Sequence, residues 1–183
     1  MAEIIEGDFR FTFPDIWVNK LDDSTFYREK MKLVSNQKKA VEAVFNPGNS
    51  LCFLEVKDYR TDLAGLKTDL KDRLPKEVAQ KWQNSISALI LGGRTEIVGV
   101  QFDESEILTP NIPMQYYLFL ESPPTTPGGA ATAIKLRTQN ELSSKIENLG
   151  LKLNSYLKPF KCPVFVCSRQ YPAPNQPFTV TLI

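Results

Sequence analysis

The chain has 183 residues, of which 42% are apolar and 23% are charged, and its formal net charge is +1. This length and composition predict one globular α/β domain over residues 1–183 with a sizeable core. The near-neutral charge excludes a nucleoid-type DNA coat, which needs a basic field over its whole surface, but not an enzyme with a local basic groove.

The residue types that are missing restrict the chemistry further. Without histidine there is no Ser-His-Asp or Cys-His nucleophile system and no histidine-based zinc site, so any metal must be held by oxygen ligands. Cys52, Cys162 and Cys167 form no paired metal-binding motif, and an odd, irregularly spaced set of thiols is typical of a reducing cytoplasm. The acidic residues 1–6 do not resemble a signal peptide, and no apolar run could span a membrane. We therefore expect a cytoplasmic protein without a membrane partner.

The first half of the chain predicts strand, helix and hairpin in that order. Phe9, Phe11 and Phe13 alternate with polar residues, which predicts a short strand. Asp22-Asp23-Ser24 can cap a helix that continues to Met31. Two strand-like runs follow at 40–45 and 51–56.

The second half predicts helices between further strands. Residues 61–91 are rich in helix formers, and Pro75 should divide them into two helices, with Lys81 facing either the site or water. An amphipathic helix is predicted at 141–157, where Gly150 is a candidate break, and a flexible Pro/Gly-rich loop at 122–130. The remaining predicted strands cover residues 114–120, 164–166 and 178–183. These elements predict a central mixed β-sheet flanked by helices.

The two strand-like runs are joined by Asn46-Pro47-Gly48-Asn49, which is typical of a tight turn. If Pro47 and Gly48 are the central turn residues, Val44 pairs with Leu51 and Glu42 with Phe53. A loop one residue longer would turn Glu42 to the opposite face. We expect a covering helix on the apolar face, which would carry Val41, Ala43, Phe45, Cys52, Leu54 and Val56.

The other face of this hairpin carries charged groups. Glu55 and Lys57 lie two residues apart on one strand, so their side chains point to the same side. In the predicted register Glu42 is the diagonal neighbour of Glu55, at roughly 7–8 Å, from where two carboxylates could hold one hard cation. A bound Mg²⁺ would activate water and stabilise charge on a phosphate, and a lysine could orient that water or neutralise charge in the transition state.

A carboxylate strand, a turn and then Glu-X-Lys at the end of an apolar strand resembles the core of the PD-(D/E)XK nuclease superfamily. The resemblance implies a restriction-endonuclease-like fold and metal-dependent cleavage of nucleic acid, with DNA as the first expectation. It also implies Mg²⁺ or Mn²⁺ on Glu42 and Glu55, with Lys57 as the catalytic lysine. The family usually has aspartate where this chain has Glu42. Many members add an acidic residue on the preceding helix, for which Asp22, Asp23 and Glu29 are the candidates here.

Two other classes of function stay open. One is a catalytically degenerate nuclease-fold module that binds nucleic acid or a protein partner. The other is a small-molecule-binding α/β protein in which Glu42, Glu55 and Lys57 are structural, for example as surface ion pairs worth about 0–1 kcal/mol each. The sequence also leaves open whether a homodimer is needed to place two sites on a duplex.

Overall fold

The structure is a computed structural model that describes residues 1–31, 33, 39–48, 50–93, 112–123 and 133–183, without the side chains of residues 72, 93 and 133–139. Its strands are β1 Ala2–Glu6, β2 Phe9–Phe13, β3 Trp17–Asn19, β4 Ala43–Asn46, β5 Leu51–Asp58, β6 Met114–Glu121, β7 Val164–Cys167 and β8 Thr179–Leu182. Its α-helices are α1 Leu63–Thr68, α2 Leu74–Gly93 and α3 Ala133–Leu157. Within the described residues, no helix has the length and apolar character needed to cross a bilayer.

A mixed sheet of five strands, in the order β3-β4-β5-β6-β7, forms the centre of the described structure. Strands β3, β4 and β5 pair antiparallel, whereas β5, β6 and β7 pair parallel. Parallel neighbours require long crossover connections, and these contain α1 and α2 in the first case and α3 in the second. The predicted α/β class and central mixed sheet are therefore confirmed.

Helices α2 and α3 both pack on one face of this sheet. Crossovers of the same hand that add strands in one direction place their helices on the same side. Leu74, Val78 and Trp82 of α2 and Leu149 and Leu153 of α3 belong to a single buried cluster with the sheet residues Val44, Leu51, Phe53, Tyr116 and Leu118. We call this side the helical face.

The opposite face is covered by a second sheet of three strands, in the order β1-β2-β8. Phe9, Phe11 and Phe13 of β2 are buried against Ala43, Phe45, Cys52, Leu54 and Phe119 of the central sheet. The expectation of a covering helix on this face was wrong. Both crossover helices lie on the helical face. The opposite face of the central sheet is therefore buried by the aromatic N-terminal hairpin, β1-β2, and the C-terminal strand β8.

The register of the β4-β5 hairpin differs from the predicted one by two residues. Val44 pairs with Phe53, not with Leu51, and Phe45 pairs with Cys52. The connection is longer because Pro47 and Gly48 do not form a two-residue primed turn. Both primed turn types require a positive φ at the first central residue, which the ring of Pro47 does not allow. A shift of two residues preserves the face, so extending the observed register by one residue places Glu42 directly opposite Glu55.

The other predicted elements agree closely in type and less closely in extent. Residues 63–93 form a continuous helical path in which a π-helical segment, Asp69–Arg73, precedes Pro75 in the first turn of α2. Helix α3 is longer than predicted and passes through Gly150 without a break. Ser24 accepts from the Tyr27 amide at the predicted cap, although the turn that follows, Tyr27–Met31, is π-helical. The predicted loop at 122–130 lies, except for residues 122 and 123, outside the described residues.

Candidate functional site

The carboxylate of Glu55 is the centre of the site. Glu55 lies on β5, points to the helical face and has a side chain that is 0% exposed. The Lys81 ammonium donates to both of its oxygens, at 2.6 Å to Oε1 and 2.8 Å to Oε2. A carboxylate so far from water can remain charged only with a partner of this kind, because desolvation alone costs several kcal/mol per ion.

The same ammonium also binds Glu42. Lys81 Nζ donates to Glu42 Oε1 at 3.1 Å, and the two side chains are only 6% and 12% exposed. Helix α2 fixes this geometry by holding the segment before β4: the Val41 amide donates to Ser85 Oγ, and Asn84 Nδ2 donates to the Lys39 carbonyl. One helix therefore supplies both the cation and the anchor for the carboxylate that it meets.

Lys57 extends this arrangement toward the surface. Its Nζ atom lies 3.2 Å from Glu55 Oε1 and 2.6 Å from Glu77 Oε1. Glu77 stands four residues before Lys81 on α2, so the two side chains lie on neighbouring turns of one helix face. The charged groups alternate in the order Glu77, Lys57, Glu55, Lys81 and Glu42.

A further acidic group joins the site at Glu42. Asp22 shares a hydrogen bond with Glu42, and such a contact between two carboxyl groups requires a proton between them. Burial, with the neighbouring negative charge of Glu42, raises the pKa of Asp22 to about 8. The backbone supports the contact, since the Leu21 amide donates to the Glu42 carbonyl at 3.1 Å. Of the three acidic candidates near the first helix, Asp23 instead pairs with Lys20, and Glu29 is exposed.

Negative charge exceeds positive charge in this cluster, which we call the carboxylate cluster: Asp22, Glu42, Glu55 and Glu77 with Lys57 and Lys81. Burial raises the pKa of Glu55 to about 7, although Lys81 and Lys57 oppose the shift. Burial alone would lower the pKa of Lys81, but the charges of Glu55 and Glu42 outweigh it and raise that pKa. The cluster thus contains two carboxyl groups with raised pKa and two lysines in contact with carboxylates.

The donor atoms of this cluster suit a hard divalent cation. Asp22, Glu42 and Glu55 offer carboxylate oxygens, the ligands that Mg²⁺ and Mn²⁺ prefer. Asp22 Oδ1 is buried without a hydrogen-bond partner, as is the Tyr116 hydroxyl, whose pKa is raised by burial and by the charge of Glu55. In the present arrangement the Lys81 ammonium lies between Glu42 and Glu55, and the described residues contain no group of three acidic or thiol side chains arranged around a metal position. A metal on Glu42 and Glu55 therefore requires Lys81 to withdraw.

The structure brings together Glu42, Glu55 and Lys57, as predicted from the sequence. Of the candidates that were left open it includes Asp22 and Lys81, and it adds Glu77, which was not predicted. The spacing along α2 could have shown that Lys81 and Ser85 face the sheet. They follow the inward-facing residues Leu74 and Val78 at intervals of three and four residues. A lysine on the buried face of a helix needs an acidic partner that is buried with it. The predicted surface ion-pair alternative was wrong for Glu55, which is fully buried.

No protein-family model, no curated protein and no solved structure matches this chain. What the protein does is therefore inferred from its own residues and their geometry.

Replacing Lys81 by methionine should destabilise the fold by about 3 kcal/mol, the lower end for a broken buried ion pair, because Lys57 still contacts Glu55. In Lys81→Met/Glu55→Gln the loss should be smaller than the sum of the two single losses, since the fully buried residue 55 is then neutral and only Glu42 loses its partner. Urea unfolding of the two single variants and the double variant measures this coupling. Lys76→Met, at an exposed position of α2, is the control and should lie within about 0.5 kcal/mol of wild type. Additive losses would contradict the pairing.

The raised pKa of Asp22 predicts how stability changes with pH. Between the ordinary carboxyl value of about 4 and its folded value of about 8, the folded chain holds a proton that the unfolded chain has lost. Stability should therefore fall as pH rises from about 5 to about 8, and it should fall less in Asp22→Asn, which has no carboxyl group to titrate. Urea unfolding at the two pH values tests this. Asp23→Asn should keep the wild-type dependence, and an equal slope in Asp22→Asn would contradict the assignment.

Proposed function

We propose that this protein is a metal-dependent nuclease of the PD-(D/E)XK type that hydrolyses phosphodiester bonds in nucleic acid, with DNA as the first substrate to test. Glu42 and Glu55 would hold Mg²⁺ or Mn²⁺, and Lys57 would be the catalytic lysine. The observation that carries the proposal is that Glu42 and Glu55 both bind one cation, the Lys81 ammonium, beside Lys57, and that Asp22 contacts Glu42.

The topology supports the resemblance stated from the sequence. Glu42 lies one residue before β4, opposite Glu55 of the Glu-X-Lys strand when the antiparallel register is extended, and the helical path that ends in α2 follows β5. The additional acidic residue expected near the preceding helix has a counterpart in Asp22, which contacts Glu42. The chain differs from the usual pattern in the longer side chain at Glu42.

Each residue of the carboxylate cluster has a distinct task in this proposal. A divalent cation on Glu42 and Glu55 would supply Lewis acidity for the phosphate. Lys57, which is half-buried at the outer end of the cluster, would orient the attacking water or neutralise developing negative charge. Glu77 holds the Lys57 ammonium at 2.6 Å, and this contact limits the positions that the lysine can adopt.

Lys81 has to leave its place between the carboxylates before a cation can enter. Its four-methylene stem is flexible, and a metal that competes with it gains the carboxylates that the ammonium now neutralises. The catalytically degenerate alternative, a module that binds without cleaving, is favoured by the same contact, because a permanently bound ammonium would take the place of the metal.

The direct test is cleavage of single-stranded and duplex DNA, with RNA of the same sequence alongside, in the presence of Mg²⁺ or Mn²⁺ and in EDTA. We expect cleavage that requires the metal and that falls about 100-fold or more in Lys57→Met, since a lost electrostatic contact to the transition state costs this much. Lys76→Met, which removes an exposed lysine from α2, should retain full activity.

Cleavage that is equal in the wild type and Lys57→Met would contradict the role of Lys57. Binding of nucleic acid without cleavage of any of these substrates would reject the nuclease and leave the degenerate module. If the protein shows neither binding nor cleavage, the site is structural.

A further inference from the structure

A groove of about 570 Å³ lies between α3 and the helical segments that follow β5, away from the carboxylate cluster's own side chains. Its volume is in the range of ordinary ligand sites. Residues from α1 and the adjoining π-helical segment form one wall, among them Lys67, Leu70 and Lys71. Residues from α3 form the other wall, among them Lys145, Leu149 and Lys152.

Among the side chains that the structure describes, four lysines line this groove and no acidic residue does. Lys67, Lys71 and Lys145 are exposed, and Lys152 is partly buried. The formal net charge of the whole chain is only +1, so this concentration of positive charge is local. It gives the groove a positive electrostatic potential that the molecule as a whole does not have. Scattered surface lysines normally alternate with carboxylates, so the composition of the lining favours an anionic ligand.

The groove is held in shape by contacts across it. Lys152 Nζ on α3 donates to the backbone carbonyl of Lys71 at 3.0 Å, which ties the two walls together. Leu70 and Leu149 are buried members of the helical-face core, so the bottom of the groove is packed protein. The groove therefore presents the exposed lysines Lys67, Lys71 and Lys145 on two walls that are tied together.

We propose that this groove binds the phosphodiester backbone of a nucleic acid strand. The inference rests on the proposed function and specifies where the substrate lies outside the cleavage site. Lysines neutralise phosphates without reading bases, which suits a concave, sequence-independent backbone site. An anionic membrane is the less favoured ligand because the leucines of the groove are buried and offer no apolar side chain for insertion.

The position of the groove fits this use. Lys71 precedes Glu77 of the carboxylate cluster by six residues on one helical path, which is roughly 9 Å along a helix axis. Successive nucleotides of one strand advance about 3.4 Å in B-form DNA, so a backbone segment of a few nucleotides covers this distance. One strand could thus contact the groove while a neighbouring phosphate approaches Lys57.

The test measures binding without cleavage. A labelled single strand and a labelled duplex are titrated in EDTA over a range of salt concentrations, by fluorescence anisotropy, with wild type and with Lys67→Gln/Lys71→Gln/Lys145→Gln. We expect the triple variant to bind at least tenfold more weakly at low salt. The slope of log K against log salt concentration should become shallower in this variant. The change should be about 0.7 per lost contact for the single strand and about 0.9 for the duplex.

A matched triple variant controls for net charge. Lys30→Gln/Lys158→Gln/Lys161→Gln removes three exposed lysines from other elements and should keep the wild-type salt slope. Circular dichroism of both triple variants checks that they fold. Equal losses in the two variants, or binding of wild type to anionic vesicles but not to nucleic acid, would overturn the proposal.

The outcome is separable from that of the nuclease proposal. If the groove variant loses binding while the wild type never cleaves, the groove is a nucleic-acid site on a non-catalytic protein. If the wild type cleaves and the groove variant binds as tightly as the wild type, the cleavage site stands and the groove assignment fails.

Discussion

The burial of one carboxylate, that of Glu55, is the constraint on which the rest of the site depends. A charged group with no exposed surface in the middle of a β-sheet would be lost to protonation or would unfold the chain without a compensating cation. Lys81 supplies that cation from α2. Its two contacts with Glu55 require α2 to lie at one position along and above β5. Ser85 and Asn84, one turn further on, fix the segment that carries Glu42. The ionic contacts and the helix position are therefore parts of one arrangement.

The two faces of the central sheet make this arrangement possible. The three-stranded sheet closes one face with phenylalanines, among them Phe11, whose ring contacts Phe119 edge-to-face at 5.1 Å. The helical face also carries a large apolar cluster, and Glu55 and Lys81 meet within it. A polar cluster enclosed by hydrophobic packing has a low local dielectric, which strengthens each ionic contact and raises the cost of each unpaired carboxyl. This is why Asp22 and Glu55 have raised pKa values within the same cluster.

Local patterns predicted much of this from the sequence, and long-range contacts account for the errors. Alternation placed Glu55 and Lys57 on one face, and the helix and strand types in the described residues were largely right. The hairpin register was wrong by two residues because it depends on turn geometry that Pro47 and Gly48 do not determine. The rotation of α2, and hence whether Lys81 faces the site or water, is decided by packing between elements. The second face of the central sheet is covered by β1 and β2 from the start of the chain and β8 from its end. A pattern within a short stretch of sequence cannot show that such distant strands pair.

The central claim is that the carboxylates neutralised by Lys81 are the ones that a divalent cation would use, so that ammonium and metal compete for them. Calorimetric titration of Mn²⁺ into wild type, Lys81→Gln and Glu55→Gln/Lys81→Gln tests this most directly. The account predicts that Lys81→Gln binds Mn²⁺ more tightly than wild type and that the double variant loses this binding. Equal affinity in wild type and Lys81→Gln, or no binding in either, would contradict it.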